Sequence, residues 1–545
     1  MYMLYRIFLI LINIRIYVYL WESRNPENRE MDISAPALFL LVCFLLSCFF
    51  VFATAKSRSS SGGSVVLPPG PPPLPIIGNI LHFGKNPHRS IAELSKTYGP
   101  VMSLKLGTLN TVVVSSPEAA KEVLQTHDHV LSARTSPNSA RAIGYHDVSV
   151  VWMPPSALWR QLRKISASQL FSPQRLEATK TVRMKKVKEL MSFLYESCER
   201  GEAVDIARAS FVTSLNIVSN ALFSADFARY DSKESHDYHD LVVRVTKSAG
   251  KPDIANFFPF LGFLDLQGSR KEFKVCTDRL LKVFQGLIDD RFRERLNRTE
   301  PRDGSRTDLL DSLLDLNQDD ESELNMNVIK SLLLDLFGAG TDTKSSTVEW
   351  AMAELLRNPT KMTKVQTEIG RVIGENVVFD DSDIQKLPYL QAVVKETLRL
   401  HPPVPFLIPR KAQSDARIFE FFVPKNAQVL VNVWTIGRDS SVWENPTQFE
   451  PERFLGSEID VKGKDFELIP FGAGRRICPG MPMAFKTVPM MLVSLLHSFD
   501  WKLQNGAVPE ELDMEEAFGV TLHKAQPLYA VPVMKRVGPT SSAEI

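Results

Sequence analysis

In Phe471-Gly472-Ala473-Gly474-Arg475-Arg476-Ile477-Cys478-Pro479-Gly480 a lone cysteine sits in a loop rich in glycine and proline. The next cysteine upstream is Cys276, so Cys478 has no C-x-x-C partner for a zinc knuckle or a redox pair. A tight loop around one thiolate suits the proximal face of an iron porphyrin. That iron takes one protein ligand on one side and leaves the other open to dioxygen, and a thiolate there favours O–O cleavage. Gly474 and Gly480 are expected to let the backbone turn close under the macrocycle. Arg475 and Arg476 are expected to lower the thiol pKa and to bind a porphyrin carboxylate.

The loop resembles the haem-binding signature of the cytochrome P-450 superfamily, Phe-x-x-Gly-x-Arg-x-Cys-x-Gly. It matches at Phe471, Gly474, Arg476, Cys478 and Gly480. The resemblance implies that Cys478 is the axial ligand of a haem b iron and that Phe471 and Arg476 belong to the haem site.

A second stretch, Phe337-Gly338-Ala339-Gly340-Thr341-Asp342-Thr343, interrupts a helical pattern that continues through Val348 to Ala351. Glycine inside a helix costs about 1 kcal/mol relative to alanine and needs a reason. A helix passing over a haem needs small residues where O2 sits, with a hydroxyl to hydrogen-bond it and an acid to relay protons. The stretch resembles the family's oxygen-activation motif at Ala339, Gly340, Asp342 and Thr343, which implies catalytic roles for Thr343 and Asp342. Lys344 departs from the hydroxyl usual at the next position and is expected to point to solvent, since lysine is rarely fully buried.

Trp159 and Arg163 are four apart and share a helix face. Alone, such a pair reads as a surface cation–π contact. It resembles the family's Trp-x-x-x-Arg helix, which implies that both donate to one haem propionate. Arg410, after Ile408-Pro409, matches a position that meets the other. Glu396 and Arg399 match the Glu-x-x-Arg motif, joined by Arg453 of Phe449-Glu450-Pro451-Glu452-Arg453-Phe454. These three are assigned a structural role, a buried charge network behind the cysteine loop.

The 545 residues carry a net charge of +1, which gives no argument for a nucleic-acid partner, and the five scattered cysteines fit a reducing compartment. From Ala35 to Ala55 the chain is apolar and uncharged, long enough to cross a bilayer as a helix. Lys56 and Arg58 follow it, which places the C-terminal side in the cytosol. A cleaved signal peptide is the competing reading; the length and the charged flank oppose it. Residues 1–30 form an apolar stretch broken by Arg6 and Arg15, read as an upstream extension before a working start at Met31. The expected organisation is extension 1–30, membrane anchor 31–58, polar spacer and proline hinge 59–79, and a haem-thiolate monooxygenase domain 80–545. Residues 101–114 alternate as a β-hairpin, 155–400 read as helix, and short strands recur near 417–431 and 527–534. The fold class is mainly α with a small β portion, a cytochrome P-450 fold with an N-terminal transmembrane helix. The polar segment from Asn297 to Glu323 reads as a surface connection; a glycan on its Asn297-Arg298-Thr299 sequon would overturn the cytosolic orientation.

The resemblance implies O2-dependent insertion of one oxygen atom into a C–H bond, with single-pass anchoring in the endoplasmic reticulum membrane. No G-x-G-x-x-G stretch is present. NADPH and flavins therefore act only through a partner, NADPH–cytochrome P-450 reductase, expected to dock on Arg160, Lys164, Arg475 and Lys486. By family position the substrate walls are 141–151, 337–341, 404–408 and 518–522, largely apolar and suited to a lipophilic molecule. NSARAIGYHDVSVVW, ANFFPFLGFLDLQG and MEEAFGVTLHKAQPLYAVPV resemble a plant, terpenoid-oxidising branch that includes geraniol 8-hydroxylase and ferruginol synthase. Phenolics, alkaloid precursors and fatty acids are the alternative substrates. Readings of another class are a non-oxidative isomerase or dehydratase on the same fold, opposed by Thr343 and an undisturbed cysteine loop, and a non-catalytic haem protein.

Overall fold

The computed structural model describes residue 44 and residues 66–535, apart from 142, 232, 298–307, 318–323 and 375–378. The expected extension, anchor and most of the polar spacer lie outside the described residues. Among the described residues, no helix is long and apolar enough to cross a membrane.

The long helices are α1 (Pro87–Tyr98), α2 (Ala157–Gln169), α3 (Lys180–Arg200), α4 (Ile206–Phe223), α5 (Lys233–Gly250), α6 (Ser269–Leu296), α7 (Met326–Arg357), α8 (Pro359–Ile373), α9 (Pro388–Leu400) and α10 (Met481–Leu496). The strands used below are β1 (Val101–Leu106), β2 (Leu109–Val114), β3 (Ala133–Arg134), β4 (Val204–Asp205), β5 (Arg410–Lys411), β6 (Ala416–Ile418), β7 (Phe421–Val423), β8 (Gln428–Val431), β9 (Phe499–Leu503), β10 (Glu516–Ala517), β11 (His523–Lys524) and β12 (Tyr529–Met534).

β1 and β2 form the hairpin that the alternation predicts, with Val101 opposite Val114 and Leu106 opposite Leu109. β2 then runs parallel to β8, and the sheet closes in the order β1-β2-β8-β5-β3. This order brings Arg134 on β3 beside Arg410 on β5. The proline hinge docks on the β1 edge. Prolines have no N–H to give, so the contact runs the other way: Ser103 donates its N–H to Pro69 O at 2.7 Å and its hydroxyl to Pro68 O at 2.7 Å. Gly70 is required there, since a Cβ on it would stand 2.0 Å from Ser103 O.

α7 is the axis of the helical part. Asn325 caps it by accepting from the N–H groups of Asn327 and Val328, and it continues unbroken through the glycine stretch. It is buried nearly all round, as is α4, which packs along it. A helix apolar on every side belongs in the interior. Trp350 of α7 stacks on His401 with ring centroids 3.9 Å apart. The polar segment 297–323 is more than a surface connection. Within it a short helix, Leu309–Leu316, buries Leu309, Leu310, Leu313 and Leu314. It is tied to α6 through Arg291, which meets Asp308 at 2.9 Å and Asp311 at 2.6 Å.

Candidate active site

Cys478 lies just before the N-terminus of α10. Its N–H donates to Phe471 O at 3.0 Å, which closes the loop on itself. Removal from bulk water pushes the thiol pKa up; the N–H groups of Gly480 and Met481 and the Arg163 guanidinium oppose this. The arginine that acts on the sulfur is therefore Arg163 of α2, not the expected Arg475 and Arg476. Arg475 is exposed and faces Asp128 at 3.6 Å. Arg476 is turned inward and donates to the carbonyls of Ser132, Val150 and Met153. Gly474 makes a left-handed turn, φ +68°, and the close approach it allows is to the Leu124 carbonyl, from which a Cβ would stand 2.0 Å. Gly480 has an ordinary φ of −81°, so it makes no special turn. A Cβ on it would sit 3.8 Å from the Cys478 sulfur.

Above the sulfur is a largely apolar cavity of about 360 Å³. Gly338, Ala339, Gly340, Asp342 and Thr343 of α7 line it. At Gly338 a Cβ would meet open space, whereas at Gly340 it would press Val218 of α4 at 3.2 Å. One glycine therefore keeps the cavity clear and the other lets two helices pack. The Thr343 hydroxyl donates to Ala339 O at 2.9 Å, one turn back. The expected walls are present in Tyr145, Val150, Val151, Val404, Leu407, Ile408, Val520 and Thr521. Phe337 packs instead into the core against Phe284 and Phe227. Walls from α4 (Val218, Ala221, Leu222) and α5 (Val242, Val245, Thr246, Ala249) complete the cavity. Sequence reading did not find them, because neither helix carries a motif.

Four arginines converge on the cavity: Arg134, Arg163, Arg410 and Arg476. Arg410 donates to Asp128 Oδ1 at 2.7 Å and Arg163 to Ile477 O at 2.7 Å. Burial and mutual repulsion depress the pKa values of Arg134 and Arg476, the latter to about 9; burial depresses those of Arg163 and Arg410. Among the described residues, Asp128 is the carboxylate paired with this cluster. Several guanidiniums around one acid are a costly arrangement that a dianionic ligand relieves. Arg134 Nε is buried with no partner. The Trp159 indole N–H, expected on a propionate, is already given to Val150 O at 3.1 Å, and the ring carries Arg476 4.4 Å above it. Its place is to hold Arg476 flat. The residues present thus fit a haem: one cavity brings together a thiol, a cluster of arginines carrying more positive charge than Asp128 neutralises, and largely apolar walls.

Lys344 corrects the expectation that it points to solvent. It is 4% exposed, its Nζ has no hydrogen-bond partner among the described residues, and burial followed by the nearby Arg183 lowers its pKa to about 7. α7 has no solvent face at this level for it to use.

Glu396, Arg399 and Arg453 form the expected network. Arg399 grips Glu396 with two bonds of 2.7 Å, Arg453 adds one at 3.1 Å, and the Glu450 N–H adds one at 2.7 Å. Arg399 also donates to the carbonyls of Gly437, Pro446 and Gln448 in the segment leading to the cysteine loop.

One acidic site was not foreseen, and the expected acid Asp342 has a partner that was not. Asp335, one turn before Gly338, accepts from Tyr145 Oη at 2.6 Å, Ser149 Oγ at 2.9 Å and the Val150 N–H at 2.8 Å. It pins the 145–151 wall to α7, and burial pushes its pKa up to about 6. Asp342 is buried, and its Oδ2 lies 3.4 Å from Nε2 of His523 on β11.

The sequence pattern of the cytochrome P450 family matches residues 68–530. The chain belongs to the cytochrome P450 family. It is 63% identical over 508 residues to cytochrome P450 76C4 of Arabidopsis thaliana, covering 93% of this chain and 99% of that protein. It is 49% identical over 495 residues to geraniol 8-hydroxylase of Catharanthus roseus, covering 91% and 98%. It is 48% identical over 503 residues to cytochrome P450 76AD1 of Beta vulgaris, covering 92% and 99%. This P450 is accordingly a haem-dependent monooxygenase of plant type, with haem b as its cofactor and electrons supplied by a partner reductase.

Proposed function

We propose that this P450 hydroxylates a lipophilic terpenoid, a monoterpenol or a diterpene, at the endoplasmic reticulum membrane with electrons from NADPH–cytochrome P-450 reductase. The observation that carries the haem site is the buried cluster of Arg134, Arg163, Arg410 and Arg476 beside Cys478, with Asp128 the acid paired to it among the described residues. Cys478 would hold the iron, and the four arginines would take the propionates. Bound there, haem supplies reductive activation of O2, with one oxygen atom entering a C–H bond and the other leaving as water. Thr343 presents a hydroxyl to the cavity, and Asp342, next to it, holds and passes protons. The apolar walls bind substrate by burial and exclude water. The terpenoid reading draws on the likeness to geraniol 8-hydroxylase. The anchor reading draws on the uncharged stretch 35–55. Arg160 and Lys164, both exposed on α2, and Arg475 offer a basic face for the reductase; Lys486 is engaged with Asp381 and contributes less.

Microsomes carrying this chain and a plant reductase, supplied with NADPH and screened against monoterpenols, diterpenes and phenolics, test the reading. Hydroxylation of a terpenoid is the expected result; turnover of phenolics alone would redirect it. In the same assay Thr343→Ala should keep NADPH consumption while product per NADPH falls by on the order of tenfold. Unchanged product per NADPH would remove Thr343 from the oxygen side.

A further inference from the structure

Asp342 is sealed inside the protein, yet an acid that passes protons must be refilled from water. The side chain that meets both is His523. Its Nε2 lies 3.4 Å from Asp342 Oδ2, and its side chain is 30% exposed against 2% for Asp342. Asp342 Oδ2 is buried, and the His523 imidazole and the Thr521 side chain are turned towards the carboxylate. The position of His523 is fixed through its neighbour. Leu522 O accepts from Ser346 Oγ at 2.8 Å and from the Trp350 indole at 3.4 Å, both on α7, and the Leu522 N–H donates to Pro403 O at 2.7 Å. Asp342 thus lines the cavity next to Thr343 on α7, and His523 on the neighbouring strand brings a partly exposed imidazole to it.

We propose that His523 is the positioning residue that keeps Asp342 ionised at rest and feeds it protons from solvent. The role rests on the proton function given to Asp342 above. In each transfer the His523 Nε2–H bond breaks as an Asp342 Oδ2–H bond forms. Asp342 then releases that proton into the cavity, and the neutral imidazole takes a replacement from water. No electrons move in this step.

The groups facing the pair are few. Glu349 of α7 stands near His523, with Lys524 of β11 facing Glu349, and Thr521 faces the Asp342 carboxylate. His239 of α5 faces Asp342 from the other side, with Asp240 beside it; Asp205 of β4 faces both Glu349 and His239. Burial disfavours the charged imidazole of His523, but the Asp342 carboxylate beside it outweighs this and raises its pKa above the ordinary histidine value. Burial lowers that of His239, which makes it the poorer donor of the two.

The test uses the full-length holoenzyme with its reductase, as wild type and as His523→Gln, His239→Gln and Asp342→Asn, over pH 6 to 8.5. Product per NADPH is measured alongside the ring titrations of the ten histidines in 15N-histidine-labelled protein. His523→Gln should lose product per NADPH by on the order of tenfold at the alkaline end and regain part of it at the acid end, where water alone can protonate Asp342. His239→Gln should follow wild type. The His523 resonance should titrate above the ordinary histidine range and drop in Asp342→Asn. If Asp342→Asn uncouples and His523→Gln does not, or if the His523 titration ignores Asp342→Asn, the proposal is overturned. If Asp342→Asn itself leaves product per NADPH unchanged, the proton role of Asp342 fails, and His523 falls with it.

Discussion

Lys344 is the residue most at odds with its surroundings. A buried amine without a partner is accommodated by losing its proton, and here the pKa falls to about 7 from 10.5. The sign of the consequence follows. The folded chain gives up a proton that the unfolded chain keeps, so folding is penalised most below about 7 and least above the ordinary lysine value. Lys344→Ser removes the penalty and restores a hydroxyl at this turn of α7. Its apparent Tm should exceed that of wild type by a few degrees at pH 7, and the gap should close as pH rises towards 10.5. Thermal unfolding of both proteins at several pH values checks this. A gap that widens with pH would mean that the amine is charged and paired.

At the scale of elements, the site depends on segments far apart in sequence being held to one another. Glu396 on α9 is the clearest fastener. It is fully buried and accepts from Arg399, Arg453 and the Glu450 N–H. Breaking a buried charge network by removing one partner costs about 3–5 kcal/mol, because the remaining charges stay buried. Glu396→Gln should therefore give little folded holoprotein, read as loss of the reduced carbon-monoxide signal of thiolate-bound haem and a lower unfolding temperature. Retention of both would make the network dispensable. The same distance in sequence limits what could be read beforehand. The cysteine loop and the Thr343 turn announced themselves, because their chemistry needs glycines, a cysteine and a threonine within a few residues. The β1–β2 hairpin was legible from alternation. His523 was not, since it sits in a two-residue strand 181 positions after its partner Asp342, with no period and no motif. Lys344 was misjudged for a different reason. The expectation rested on how rarely lysine is fully buried, which says nothing of a helix that runs through the interior at residue 344, as α7 does.

For the molecule as a whole, the site is also a stability problem that its ligand solves. The sheet order β1-β2-β8-β5-β3 places Arg134 and Arg410 side by side, and α2 and the cysteine loop bring Arg163 and Arg476 to the same edge. Their depressed pKa values record repulsion and lost hydration that Asp128 offsets only in part. A group that binds the folded chain and not the unfolded one stabilises it in proportion to the logarithm of its occupancy. The propionates, and not the flat ring alone, should supply much of that stabilisation. Protein prepared without haem and reconstituted with haem b or with its dimethyl ester separates the two contributions, since the ester keeps ring and iron but carries no charge. The haem b form should unfold at a clearly higher temperature than the ester form, which should lie between it and the apoprotein. Raising the salt concentration should narrow the gap little, because the charges are buried and poorly screened. Equal unfolding temperatures for haem b and its ester would show that the arginines serve the loop and not the porphyrin. The edge assigned to the propionates would then have to move.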